Sequence, residues 1–506
     1  MMQRRMLAAA AGVASVALGL GVAELVAALV APAASPLLVV GSLIIDLAPS
    51  WAKETAIALF GTGDKVALLV LIGVVLAALA AGAGILEERR PPLGRIVIGL
   101  GAILGVLAAV TRSGAAVLDA VPPTIAAIGA VVALGLLLRR LPEKSGRPGA
   151  DNPDRRTFLV WAGGVTATGI VTAIAGTALQ AGARASQAVR EAFVLPDPAT
   201  PAPPVPAGAD FRIEGLAPVI TPNADFYRID TALRIPQIDA NSWSVRVTGE
   251  VENEIELTWA ELIALPLDES VTTLMCVSNE VGGSLIGTAR WLGSPIRDLL
   301  TRATPKPGAD MVLSKSQDGF TAGTPLSVLQ DPDRNAIFAI GMNGEPLPPE
   351  HGFPVRMVVP GLYGYVSATK WVVELEVTRF SRARAYWTDR GWGEKGPIKV
   401  ESRIDVVKSP TNPGDPHIIA GVAWHQHTGI AKVEVQIDDE PWVEAELADA
   451  VSIDTWVQWR MPWHATRGSH TIRARATNTA GETQTSHEAD VLPDGATGYP
   501  SIEVTI

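Results

Sequence analysis

Up to about residue 181 the chain is built of long apolar runs without a polar face, and beyond about residue 207 apolar positions come in short alternating patches. A helix crossing hydrocarbon needs roughly 20 apolar residues, because every backbone group must be paired internally. Five runs fit: Met6–Val30, Lys65–Leu86, Gly94–Val110, Val121–Leu138 and Phe158–Leu179. Pro122 and Pro123 suit the first turn of the fourth. A sixth run, 36–61, is interrupted by Asp46, Pro49, Lys53 and Glu54, and is expected to form a re-entrant or interfacial hairpin.

Charge fixes an expected topology. Arg4 and Arg5 precede the first span, Arg89, Arg90 and Arg95 separate the second from the third, and "RRLPEKSGRPGADNPDRR" (139–156) separates the fourth from the fifth. Keeping all three basic segments cytoplasmic requires an odd number of spans. The expectation is a multi-pass plasma-membrane protein whose soluble half faces the extracytoplasmic side. Arg155 and Arg156, followed by Phe158 and Leu159, have the spacing of a twin-arginine export signal, which serves domains that fold before crossing. A plain positive-inside flank is the alternative reading of the same residues. The apolar half contains no His, so a haem held by paired histidines of its own helices is excluded.

"LPDPATPAPPVPAG" (195–208) reads as an extended, semi-rigid tether. After it, alternating runs such as "SWSVRVTGEV" (242–251), "KWVVELEV" (370–377) and "IAKVEVQID" (430–438) predict strands. "TWAELIAL" (258–265) and "PIRDLLTRA" (295–303) predict short helices. From Val400 onward nearly everything is strand-like, as in a small β-sandwich. The expected division is a transmembrane helical domain over 1–190, a linker over 191–208, an α+β body over 209–399 and a sandwich over 400–506.

The net charge of −11 offers no basic stripe, so nucleic acid is not an expected partner. One cysteine, Cys276 in "TLMCVSNEVGG", excludes an intramolecular disulfide, a Cys-rich zinc site and an all-Cys iron–sulfur cluster. On residue type alone Cys276 reads as a small buried hydrophobe. His425 and His427 have the spacing of a strand-borne metal pair, but no third ligand is evident and a surface loop is the simpler reading.

Residues 207–506 resemble the sulfite oxidase family of molybdopterin-dependent oxidoreductases. "TLMCVSNE" with "GTARWLGSPIRDLL" (287–300) resembles the segment holding the family's metal-binding Cys, and "MNGEPLPPEHGFPVRMVVPGLYGYVSATKW" (342–371) is the more specific match. The resemblance implies a molybdenum–molybdopterin cofactor with Cys276 as the protein thiolate on the metal, a soft ligand suited to a high-valent two-electron centre. By position it implies that His351 and Arg356 hold pterin and phosphate, with Lys370 and the backbone around Ala368 and Thr369 on the same cofactor. Tyr227 and Arg228 would line the cofactor and oxo face, with Asp318 as a weaker pterin contact. His351, Arg356, Lys370 and Asp318 also have ordinary readings as turn, ion-pair or strand residues. The terminal sandwich resembles the family's immunoglobulin-like domain, which implies a homodimer.

The chain departs from sulfite oxidases where sulfite would bind. Glu280 stands near an expected arginine, Trp392 in "AYWTDRGW" falls at a tyrosine position, and "VLPDGATGYP" (491–500) has acid and Pro where another arginine would lie. A dianion held by Arg228 beside a Glu would bind poorly. The leading expectation is two-electron oxygen-atom transfer on a small substrate, including S-oxide or N-oxide reduction, with a separate electron donor or acceptor and catalytic roles for Cys276, Arg228 and Trp392. Sulfite oxidation, and a non-catalytic membrane assembly protein with a cofactor-free domain, are the alternatives. A transporter with a sensory ectodomain rests on Asp46 alone.

Overall fold

The computed structural model describes the chain apart from residues 1, 32–33, 50–51, 53–54, 57–58, 61–62, 112–116, 143–152, 180–188 and 410–415. The chain divides into two compact units, Met1–Arg184 with Thr231–Arg234, and Ala185–Asp230 with Ile235–Ile506.

The first unit is helical: α1 (Met2–Val30), α2 (Pro36–Leu47), α3 (Asp64–Arg89), α4 (Leu93–Val110), α5 (Val121–Leu138) and α6 (Pro153–Leu179). All but α2 are long and apolar enough to cross a membrane. α1 packs against α3, α5 and α6. Glycine makes the closest of these approaches possible: a Cβ on Gly12 would strike the backbone of Ala80 and Gly84, and one on Gly21 that of Gly169. Large apolar side chains such as Leu71, Val74, Leu104, Val171 and Ile174 point outward, as a lipid-facing surface requires. Arg4 bonds the Glu88 carboxylate at 2.9 Å and the Pro142 carbonyl at 2.8 Å. These bonds bring the start of α1, the end of α3 and the segment after α5 to one end of the bundle, as the charge pattern predicts. α2, with 12 residues, is too short to span. The rest of the expected hairpin, and most of the 139–156 loop, lie outside the described residues.

The second unit contains β1 (Ser244–Gly249), β2 (Ile255–Thr258), α7 (Trp259–Ile263), β3 (Asp268–Met275), β4 (Ile286–Pro295), α8 (Ile296–Ala303), β5 (Met311–Ser316), β6 (Thr321–Pro325), α9 (Leu326–Gln330), β7 (Ile337–Met342), β8 (Glu345–Pro346), β9 (Arg356–Val358), α10 (Gly364–Ser367) and β10 (Val372–Thr378). One sheet runs β2-β1-β10-β5-β6 and the other β3-β4-β7-β8, with β9 also on β7. Trp243, Trp291, Phe338, Tyr363 and Leu375 belong to their shared core. The expected tether is not free along its length. Thr200 bridges Asp268, and its carbonyl accepts from Glu269 at 2.8 Å, which lays this stretch against the start of β3.

The remaining strands are β11 (Glu401–Lys408), β12 (His417–Trp424), β13 (Ile430–Ile437), β14 (Val443–Glu444), β15 (Glu446–Leu447), β16 (Val457–Trp463), β17 (Ser469–Asn478) and β18 (Ser501–Thr505). They form two four-stranded sheets, β11-β12-β16-β15 and β14-β13-β17-β18. Ile419, Val433, Trp459 and Ile472 form the core they share.

Candidate active site

Cys276 follows the last residue of β3 at the start of a tight turn. Its N–H donates to the Leu285 carbonyl at 2.9 Å and its carbonyl accepts from Asn279 at 3.1 Å. Leu285 in turn donates to the buried Asn279 side chain at 2.6 Å, so the loop is tied back to both its ends. The thiol is buried. Burial pushes its pKa up, while hydrogen bonds from Ser278 and the charge of Lys370 pull it back. Those partners favour the thiolate, the form that binds a metal cation.

The long 342–371 motif supplies the rest. Asn343 adopts a left-handed conformation (φ 52°) at the turn between β7 and β8. Its carboxamide donates to the Thr221 carbonyl at 2.9 Å and to Asn223 at 2.8 Å, anchoring the loop that carries Tyr227. His351 reaches the Asn223 carbonyl at 3.1 Å and meets Phe226 edge to face. Gly352, at φ 117°, turns the chain where a side chain would collide with Arg356 and Lys370. Arg356 and Lys370 then face each other across a bridge between β9 and the segment leading to β10.

These groups share one electrostatic field. Burial and then the Arg356 charge push His351 down to about 4, so it is neutral. Burial lowers Arg356 to about 10. Burial also lowers Lys370 to about 8, although Asp230 opposes the shift. Tyr227 is raised by burial and by the neighbouring Cys276, so its phenol keeps its proton. Lys370 Nζ bonds Asp230 at 2.7 Å and the Glu350 carbonyl at 3.0 Å. Arg228 shares the same carboxylate at 2.8 Å.

The structure thus brings Cys276, Tyr227, Arg228, His351, Arg356 and Lys370 together. Ala368 joins them through its carbonyl, 3.5 Å from Arg356. Thr369 contributes backbone, accepting from Met357 at 2.9 Å, because its hydroxyl is taken by Ser314 in the core. Asp318 sits in the β5–β6 turn and accepts from Phe320 at 3.3 Å, the work of an ordinary turn residue. Trp392 is buried, tilted against Tyr365 and edge-on to Trp387, and among the described residues its indole N–H has no hydrogen-bond partner. His425 and His427 lie apart from this group. Both lie in the turn between β12 and β13, as the loop reading expects, and His427 is half-buried there, 3.7 Å from Asp331 and 3.5 Å from Asp454.

Two residues escaped the sequence reading. Asp230 neutralises part of the cationic cluster, and its signal lay two positions after Arg228 in "FYRID". Asn343 braces the Tyr227 loop, and the Asn-Gly pair marked it as a turn rather than a brace.

The cluster fits an anionic cofactor. Arg356 is 5 % exposed, and among the described residues no carboxylate pairs with it. Its guanidinium reaches the carbonyls of His351 at 3.1 Å, Met357 at 3.4 Å and Ala368 at 3.5 Å, and lies 5.0 Å over the Trp291 ring. A buried guanidinium without an anion is costly, and a phosphate ester would supply one in a forked geometry.

Residues 232–387 match the family described as "Oxidoreductase molybdopterin binding domain". That range contains Cys276, His351, Arg356 and Lys370, and it stops short of Tyr227, Arg228 and Trp392. Rattus norvegicus mitochondrial sulfite oxidase is 29 % identical over 273 residues, covering 45 % of this chain and 49 % of that one. Hordeum vulgare nitrate reductase [NAD(P)H] is 33 % identical over 168 residues, or 28 % of this chain and 19 % of that one. The fold is similar to that of the sulfane dehydrogenase SoxCD of Paracoccus pantotrophus, with a TM-score of 0.50 and 20 % identity over 57 % of this chain and 82 % of that one. The chain spans about half the length of the sulfite oxidases it matches. These matches define a molybdopterin-binding oxidoreductase domain. Residues 232–387 are a domain of this kind, and over that region the chain is similar to the sulfite oxidase family of molybdopterin-dependent oxidoreductases.

Proposed function

We propose that this protein is a plasma-membrane-anchored oxidoreductase whose extracytoplasmic domain carries out two-electron oxygen-atom transfer on a small, non-dianionic substrate, in the direction of S-oxide or N-oxide reduction. The observation that carries the reading is Arg356: a buried, unpaired guanidinium beside Lys370 and the chain's sole thiol. In this reading Cys276 ligates the molybdenum, Arg356 and Lys370 hold the phosphate, and neutral His351 with the Ala368–Thr369 backbone receives the pterin. The bound group would supply two-electron redox chemistry and an exchangeable oxygen. The chain's own share is to bury it, orient it and keep Tyr227 protonated beside it. Arg228 and Trp392 are assigned to the substrate side.

Charge supports the choice of substrate. An open pocket of about 430 Å³, whose lining includes none of Cys276, Arg228 and Trp392, is formed by Glu280 and Val281, on the loop after Cys276, and by residues of the 488–499 segment including Glu488, Asp490 and Tyr499. Three carboxylates and no basic side chain line it, which disfavours a dianion by like-charge repulsion. An S-oxide consumes two electrons and two protons to give the sulfide and water, so a separate electron donor is required. The modules 209–399 and 400–506 are proposed to be the cofactor domain and an immunoglobulin-like domain through which two copies associate.

Sulfite oxidation is the second reading, favoured by the sulfite oxidase relatives. Purified protein with molybdenum and pterin bound, assayed with sulfite and a dye acceptor and with S-oxides and a reduced dye donor, separates the two. Turnover of S-oxide with little sulfite oxidation is expected. Efficient sulfite oxidation would reverse the assignment, and protein without metal made where cofactor is abundant would remove the enzyme altogether.

A further inference from the structure

Glu24 is a carboxylate that the chemistry above does not use. It lies in α1, six residues before Val30 and so roughly 9 Å from that helix end at 1.5 Å per residue. It is 4 % exposed, with the fully buried Ala23 and Ala27 beside it on the helix. One oxygen, Oε1, accepts from the Ser35 hydroxyl at 2.6 Å, and Ser35 is itself fully buried. The other, Oε2, is buried with no hydrogen-bond partner among the described residues. Gly176 of α6 closes one side, since a Cβ there would come 2.7 Å from the Glu24 backbone.

α3 runs antiparallel to α1, with Glu88 opposite Arg4 and Ala80 opposite Gly12, so Lys65 falls at the Glu24 end. Asp119, just ahead of α5, falls at the same end, while Arg155 and Arg156 of α6 lie at the other. α2 carries Asp46. Among the described residues, the ion pairs of these helices, Arg4–Glu88 and Arg95–Glu87, leave Glu24 out.

An ionisable group inside a bilayer-length bundle is costly to keep and marks a site of ion or proton exchange more often than a structural one. We infer that Glu24 is a reversible proton-binding site of the membrane unit, in which Ser35 fixes Oε1 and Oε2 takes and releases the proton. This rests on reading α1 as a span, which resistance of the full-length chain to alkaline carbonate extraction tests by itself.

Dicyclohexylcarbodiimide enters from lipid and adds to a carboxylic acid, which then rearranges to a stable N-acylurea without losing any atoms. Membranes containing the full-length chain should give that adduct on the Glu24 peptide, in an amount that falls with rising pH along a one-proton curve. A carboxylic-acid C=O infrared band should follow the same curve and vanish in Glu24→Gln, which preserves shape and the acceptor for Ser35. If that variant fails to fold, the wild-type pH curve still decides. Absence of both signals between about pH 5 and 9 would overturn the inference. So would adduct formation suppressed by Na⁺ at constant pH, because the site would then hold a metal cation.

Discussion

Asp230→Asn is the perturbation that most directly interrogates the charge arrangement. Asp230 joins Lys370 at 2.7 Å with side-chain exposures of 4 % and 9 %, and also joins the more exposed Arg228 at 2.8 Å. Removing one partner of a buried pair costs about 3–5 kcal/mol, because the other charge stays buried. The Arg228 share is about 1 kcal/mol or less at its exposure. At roughly 2–4 °C per kcal/mol, the cofactor-free variant should melt roughly 6–24 °C below the wild type at pH 7. Eleven of the 13 Trp lie beyond residue 207, so tryptophan fluorescence reads this unit.

The pH dependence sharpens the test. Burial holds Lys370 at about 8, below its ordinary 10.5. Below about 8 both folded and unfolded chains carry that proton. Between 8 and 10.5 the unfolded chain binds more, so wild-type stability gains about 3 kcal/mol from this group as pH rises. In the variant Lys370 loses its proton at lower pH, and the two melting curves should converge above about pH 9, leaving only the Arg228 difference. A melting difference that is equally large at pH 7 and pH 9.5, or one of about 1 °C throughout, would refute the reasoning.

Arg356→Met should abolish pterin retention while leaving the cofactor-free protein as stable as the wild type or more so, since a buried guanidinium held by carbonyls and the Trp291 face, with no carboxylate among the described residues, is removed; pterin fluorescence and melting measured together check this. Glu401 is 3 % exposed and burial raises it to about 8, so its contribution is full below about 4.5 and is lost as pH rises through 8. Glu401→Gln should therefore flatten the stability profile over that window and gain about 3–5 kcal/mol near pH 9, measured by denaturant titration. Glu280→Gln with Glu488→Gln should lower the KM for an anionic substrate such as sulfite at low salt, with the difference shrinking as salt rises.

Much of this was legible along the chain, for physical reasons. A membrane-length helix shows as an unbroken apolar run, so α1 and α3 to α6 follow the sequence closely, and Arg4 joins the basic segments as the charges require. The Gly352 turn and the Arg356–Lys370 bridge lie within one 30-residue motif, where spacing carries their meaning. What escaped depends on long-range pairing. Asp230 meets Lys370 across 140 positions, and Asn343 braces a loop 120 positions earlier, which no local pattern encodes. Glu24 sat inside a run whose average hydrophobicity concealed it, and its partner Ser35 lies beyond the helix end. The loop setting of His427 was legible, but its carboxylate neighbours Asp331 and Asp454 are remote in sequence and left no local signal.

X-ray absorption at the molybdenum edge tests the central claim most directly, on full-length wild type and on Cys276→Ser. The account predicts molybdenum in the wild type with the dithiolene sulfur pair plus one protein thiolate, and that single sulfur missing from any metal the variant retains. An unchanged sulfur shell in the variant, or no molybdenum in wild type made with cofactor available, would contradict it.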